Sequence, residues 1–185
     1  MLTQVPATRT IQTFRGDVTV RPTRESDAPA YRELRLQSLR AHPEVFGADH
    51  ATSAARPIEH WRERMRAGAG GVGGVTYVAE AAEGLIGMTS LVRNDLAKTR
   101  HAANIYGVYT HPAWRGAGVA DALLDACVEF ARSLGLRLLK LGVVTTNASA
   151  IRLYGRHGFT VYGVEPEAIA ADGVYYDELL MARRV

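Results

Sequence analysis

Apolar positions along this chain recur with two periods, and each change of period marks an element. The helical period is clearest over residues 117–134. There Val119, Ala120, Leu123, Leu124, Cys127, Phe130, Ala131 and Leu134 fall within an arc of about 140° at ~100° per residue. Asp121, Asp125, Glu129 and Arg132 lie off that stripe, and Gly135 suits a helix stop. A helix is also predicted at about 28–41, capped by Ser26 or Asp27 with Pro29 in its first turn. It presents Tyr31, Leu34, Leu36 and Leu39 to a core and ends before Pro43. Two more helices are predicted: about 57–67, with Ile58, Trp61 and Met65 at helical spacing, and about 148–157, capped by Asn147 and ended by Gly158.

Between these helices the chain reads as strands. Val18–Arg21 is stopped by Pro22, and Thr76–Glu80 with Leu85–Arg93 forms a hairpin around Ala81–Gly84. Ala102–Thr110 is another strand, and Leu138–Val144 is so uniformly apolar that both of its faces must be covered. Phe159–Val164 and Val174–Ala182 close the chain as an antiparallel pair, with Asp172-Gly173 as a turn signal. Strand 102–110, helix 117–134 and strand 138–144 make one right-handed parallel crossover. The fold class is α+β: a mixed, mostly antiparallel sheet with one parallel pair and about four helices. Residues 1–15 show no clear period and are expected to be a loose arm or an appended strand, with a single domain over 16–185.

Composition narrows the function classes. A chain of 185 residues with 47% hydrophobic residues can bury a core as one domain. The net charge of +3 comes from scattered residues, so no nucleic-acid partner is expected. One cysteine cannot form an internal disulfide, which points to a reducing compartment and a cytoplasmic protein. No apolar run approaches the ~18 residues of a membrane span. Residues 1–10 lack the apolar core of a signal peptide.

The chemistry-bearing stretch is Tyr109–Leu124, which runs from a strand through a proline loop into the strongest helix. The start of that helix is Arg115-Gly-Ala-Gly-Val-Ala120. A helix N-terminus offers unpartnered N–H groups and partial positive charge, and small residues let an anion approach the backbone. A P-loop is excluded because no Gly-Lys-Ser/Thr triplet follows. A dinucleotide fingerprint is excluded because its third glycine would fall on Asp121, and Val144-Thr-Thr-Asn147 supplies no acid after the next strand. The glycine run 68–74 follows a helix and precedes a strand, the reverse of a phosphate loop, and is read as a turn.

What remains is Arg/Gln-x-x-Gly-x-Gly/Ala, met by Arg115, Gly118 and Ala120. Asn147-Ala-Ser-Ala-Ile-Arg-Leu-Tyr-Gly-Arg-His-Gly-Phe159 follows the next strand, and Val20-Arg-Pro-Thr-Arg-Glu-Ser-Asp27 precedes the first helix. With these three stretches the chain resembles the GNAT superfamily of acyl-CoA-dependent N-acyltransferases over about residues 17–183. The resemblance implies acetyl-CoA as co-substrate, without a metal, and direct transfer to a primary amine in a ternary complex. It implies pyrophosphate binding by the N–H groups of Arg115, Gly116, Ala117, Gly118, Val119 and Ala120. Pantetheine would lie along the backbone at Val108, Tyr109 and Thr110, with Asn147 reaching the cofactor. Tyr154 would be the general acid for the departing thiolate. The alternative is a non-catalytic acyl-CoA-binding sensor.

The general base is open. Some relatives carry a strand glutamate where this chain has Asn104, whose amide can at most hold a water that relays the proton. Glu80, His111 and Glu178 are other candidates, while His101 and His157 are expected in solvent and Cys127 in the core. No spacing suggests a metal site. A small-molecule or peptide amine is the expected acceptor, with no membrane partner, for a monomer or homodimer. No lysine or arginine stands between Arg156 and Arg183, whereas Glu165, Glu167, Asp172, Asp177 and Glu178 do, which predicts an acceptor with positive charge.

Overall fold

The computed structural model describes residues 7–185. In chain order its elements are β1 (Arg9–Thr13), β2 (Gly16–Pro22), α1 (Ala28–Ala41), α2 (His50–Ala55), α3 (Ile58–Ala67), β3 (Gly74–Ala81) and β4 (Gly84–Arg93). They continue with β5 (Ala102–Thr110), α4 (Val119–Ser133), β6 (Leu138–Val144), α5 (Ala148–Arg156), β7 (Thr160–Ala171) and β8 (Val174–Arg184). The strands form one sheet in the order β1-β2-β3-β4-β5-β6-β8-β7, and β5 with β6 is its parallel pair. The architecture is therefore the expected α+β mixed sheet. Among the described residues no helix is long and apolar enough to cross a membrane.

The sheet is covered on both faces, which is why its central strands are so apolar. On one face Val78, Met88 and Tyr109 pack against Tyr31 and Leu34 of α1 and Trp61 and Met65 of α3. On the other, Tyr77, Ala79 and Leu91 pack with Leu123, Leu124 and Cys127 of α4 and with Tyr154 of α5. Neighbouring residues Tyr77 and Val78 thus serve opposite layers, as the two-residue period of a strand requires. Leu123 and Leu124 are fully buried, and truncating either to alanine costs about 2–5 kcal/mol.

α1 is anchored at its N-terminus by a buried ion pair. Arg21 donates to both Asp27 oxygens, at 2.7 and 2.8 Å, and through Nε to Glu80 at 2.7 Å. Asp27 also accepts from the Arg24 N–H at 2.7 Å. Burial alone would raise the Asp27 carboxyl, but the hydrogen bonds from Arg21 and Arg24 outweigh it and hold it below its usual range. Glu80, a candidate base, is committed to Arg21.

Of the two readings of the N-terminal segment, the appended strand holds for residues 9–13, which pair antiparallel with β2, and Arg9 bridges to Asp125 and Glu129 of α4, while residues 1–6 lie outside the described residues. Two other elements differ from expectation. α2 was not predicted because it buries no residue and so carries no apolar stripe. Its N-terminus is fixed instead by Asp49, which accepts from Thr52 N–H at 2.7 Å. β7 runs past the predicted Val164 because a bulge between Glu165 and Ile169 absorbs Glu167 at φ 51°, and the hairpin closes at Asp172 and Gly173 with φ 50° and 78°.

Candidate active site

β5 and β6 pair only from Ala102↔Leu138 to Asn104↔Lys140. Beyond that point each follows its outer neighbour: β5 stays on β4 as far as Thr110, and β6 stays on β8 as far as Val144. The parting has a local cause. Ser90 pairs with Tyr106 and Met88 with Tyr109, so three steps on β5 oppose two on β4, and Gly107 takes φ 64° inside this bulge. An extra residue bends its strand away from the flat ladder. The opened seam leads into a cavity of about 990 Å³ that reaches from Gly118 at the start of α4 to Tyr154 and Glu178.

At one end of the cavity lies the N-terminus of α4. Gly118 is its N-cap in a left-handed conformation, with no side chain capping the first turn. Gly116 and Gly118 both have φ 79°, and nothing stands within 4 Å of where a Cβ would be on either. The N–H groups of Arg115 and Ala117 are spent on turn bonds to Pro112 and Trp114. Those of Gly116, Gly118, Val119 and Ala120 remain for a ligand, in the geometry of an anion site. Ala117 packs on the core and does not line the cavity. The Arg115 guanidinium donates to His42 Nε2 at 2.9 Å, so it ties the loop after α1 to the helix start.

Further in, Tyr154 presents its phenol to the cavity while its ring packs edge-on against Phe159 at 6.1 Å between centroids. Burial, and then the charge of Glu178, push that phenol far above its ordinary range, so it is protonated at any physiological pH. Glu178 lies on β8 with its carboxyl over Gly142 of β6; a Cβ at Gly142 would collide with it. Burial, followed by the facing charge of Glu165, raises the Glu178 carboxyl. Asn147 also lines the cavity, and its Oδ1 accepts from Ala150 N–H at 3.1 Å to cap α5.

Val108, Tyr109 and Thr110 border the seam, with the Tyr109 side chain buried on the α1 face, where it only packs. Asn104 does not line the cavity; it sits at the last paired position and donates to Asn94 at 2.9 Å. His111 uses Nδ1 to accept from Ala113 N–H and likewise stays outside. His157 is not in solvent. It is nearly buried between Asp121 at 3.0 Å and Asp125 at 3.4 Å, where it locks α5 to α4. Cys127 is fully buried in the core, its thiol pushed up to about 12 by burial. Of the acidic residues at 165–178, Glu178 alone lines the cavity. Sequence reasoning missed Arg35 of α1 and the Gly107 bulge; a glycine inside an otherwise apolar strand was the available signal for the second.

Known proteins share this fold. The acetyltransferase (GNAT) family profile matches residues 30–159. The chain is 25% identical over 171 residues to the L-amino acid N-acetyltransferase AaaT of Escherichia coli (strain K12), covering 91% of this chain and 98% of that protein. A GNAT-family acetyltransferase from Streptococcus pneumoniae superposes with a TM-score of 0.81 at 22% identity, covering 91% of this chain and 99% of the other. A GNAT phosphinothricin acetyltransferase from Sinorhizobium meliloti, solved in complex with AcCoA, superposes at 0.77 with 21% identity over 91% and 88% of the two chains. The enzyme class is acyltransferase. Within that class, the chain belongs to the acetyltransferase (GNAT) family.

Proposed function

We propose that the protein moves an acetyl group from acetyl-CoA to the amine of a small primary-amine acceptor, directly, with both substrates bound at once. The observation that carries this reading is the parted β5–β6 seam, with free helix N–H groups at its mouth and Tyr154 and Glu178 at its inner end. The residues present fit the co-substrate. Gly116, Gly118, Val119 and Ala120 would hold its pyrophosphate through backbone N–H groups, and the β5 backbone from Val108 to Thr110, open on its β6 side, would hold its arm. The relative from Sinorhizobium meliloti carries AcCoA in the same fold. A cavity of about 990 Å³ stands at the upper end of the ~300–1,000 Å³ common for ligand sites, which suits two ligands together.

When bound, acetyl-CoA supplies an activated carbonyl carbon and a sulfur that leaves as thiolate. This chain's own groups then manage two protons. Glu178 takes the proton lost by the amine as its C–N bond forms. Tyr154 gives its phenol proton to the sulfur as the C–S bond breaks. Backbone N–H near Val108 steadies the charge that develops on the carbonyl oxygen. The one cysteine is buried with its thiol pushed up to about 12, which supports direct transfer over an acyl-cysteine route. AaaT is named for L-amino acids, and we infer an acceptor of similar size here.

Release of free thiol from acetyl-CoA, followed with a panel of amines, tests the proposal. Amine-dependent release is expected. Tight binding of acetyl-CoA without such release would favour the sensor alternative and overturn this reading.

A further inference from the structure

Seven ionisable side chains other than tyrosine line the cavity, and five of them have partners. Arg115 donates to His42, His42 faces Glu44 at 3.6 Å, and Asp121 pairs with Arg156 at 3.2 Å. The two left over among the described residues are Arg35 and Glu178, one of each sign. Arg35 Nη1 is buried without a hydrogen-bond partner. Its guanidinium lies over the Phe46 ring at 4.6 Å, and the titratable groups around it are Tyr31 and Arg64, neither a carboxylate. An unpaired buried cation is a standing cost to the fold, so its retention in a cavity wall calls for a ligand.

The positions of these two charges fit one ligand. Arg35 Nη1 is 3.7 Å from where a Cβ would be on Gly107, three residues past the last β5–β6 pair. Glu178 covers Gly142, two residues past the same pair on the other strand. Both stand on the same face of the sheet. Tyr109, two residues from Gly107, packs toward α1, while Leu179 and Met181 next to Glu178 pack toward α4 and α5. Glu178 therefore points away from α4, toward the α1 side. The opened seam is flanked by an anion on its β6 side and a cation on its β5 side.

We infer that Arg35 is the specificity residue of the acceptor site and binds a carboxylate of the acceptor, whose amine lies toward Glu178. The acceptor class is thus amines that carry a carboxylate, free amino acids foremost. This rests on the acetyl-transfer reading and adds to it the group that selects the substrate. A guanidinium presents paired donors that match the two oxygens of a carboxylate, and such charge-assisted pairs are the stronger kind of hydrogen bond.

The test uses L-amino acids, each beside its carboxamide and its decarboxylated amine, with α-, β- and ω-amino acids to set the spacing. The unaltered enzyme is expected to prefer the carboxylate member by about 10²-fold in kcat/KM, the worth of one buried charged contact. In Arg35→Met, which keeps the aliphatic stem over Phe46, that ratio should fall to near one, with the loss in KM for the carboxylate member. Arg35→Lys should restore about a tenfold preference. Heat denaturation gives a readout apart from turnover: amino acids should raise the melting temperature of the unaltered protein and not that of Arg35→Met. Equal losses for all three acceptor types would mark Arg35 as structural and overturn the inference. Acetylation of amines without regard to the carboxylate would overturn it while leaving acetyl transfer intact. No acetylation of any amine would overturn both.

Discussion

Replacing Glu178 by glutamine would separate its proposed role as the base from its effect on stability, because the two should move in opposite directions. The amide keeps the shape that covers Gly142 but cannot take a proton. Loss of one positioned base lowers turnover by about 10²- to 10⁴-fold. The same change relieves the fold. Glu165 and Glu178 are direct partners in the β7–β8 register, and like charges placed so oppose folding by roughly 0.2–1 kcal/mol. For a chain of this size about 1 kcal/mol corresponds to ~2–4 °C, so the variant should melt about 0.4–4 °C higher at neutral pH.

The pH dependence supplies a sharper check. Burial and Glu165 raise the Glu178 carboxyl above the usual range, where a free glutamate titrates near ~4.3. As a base it works only when ionised, so activity should climb as pH rises through that raised value. Stability runs the other way: the folded state holds this proton more tightly than the unfolded chain, so this contribution is lost as pH rises through the folded value. Thiol release should be followed across pH with two acceptors of different amine basicity. The limb due to the acceptor shifts with the acceptor, and the limb due to Glu178 stays put and vanishes in Glu178→Gln. A variant with the parent's rate and acid limb, or one that melts lower, would refute the assignment.

Tyr154→Phe keeps the packing on Phe159 and should cut turnover by about 10- to 1,000-fold with acetyl-CoA affinity retained; pre-steady-state rates of the chemical step are the check. Gly118→Val forces a branched residue to φ 79°, with a cost of about 1–2 kcal/mol, and crowds the free N–H groups. Calorimetry should show coenzyme A binding weakened at least about tenfold. Asp27→Asn strands Arg21 and should destabilise toward the lower end of the ~3–5 kcal/mol for a broken buried pair, since Glu80 remains on Nε. Because the Asp27 carboxyl is held low, its contribution is present above the ordinary carboxylate range and lost as pH falls through the depressed value. Urea midpoints of parent and variant should converge in acid.

The fold was legible wherever an element buries one clean face. β5 and β6 match their predicted ranges residue for residue, and α4, with nine buried side chains, lies within its predicted span. Legibility failed where stability comes from pairing or capping rather than burial. β1 buries no residue, and α2 is held by the Asp49 cap and by Arg32 and Arg40 of α1. His157 shows the same limit within the site. Its neighbours in sequence give no sign of Asp121 and Asp125, which α4 brings to it across more than thirty residues.

The two halves of the site were unequally legible for a chemical reason. Anion binding at α4 would use backbone N–H groups, so it leaves a local trace of small residues that can be read from a few adjacent positions. Acceptor binding would use side chains from α1, the loop after it and β8, which share no local pattern. A count of five acids from 165 to 178 therefore suggested a broad negative field and an acceptor with positive charge. The structure disperses them. Asp172 turns the hairpin, Asp177 accepts the Glu167 N–H at 2.8 Å outside the cavity, and Glu165 acts on the site only through Glu178. With Arg35 across the seam, the cavity presents a dipole instead of a single sign. A dipole orients as well as attracts: it would turn an amino acid so that its amine meets Tyr154 and Glu178 while its carboxylate is held at Arg35, away from the sulfur that must depart with negative charge. A purely cationic amine would gain from one end of that dipole and be repelled by the other, which is why the carboxylate preference, rather than total positive charge, is the property to measure.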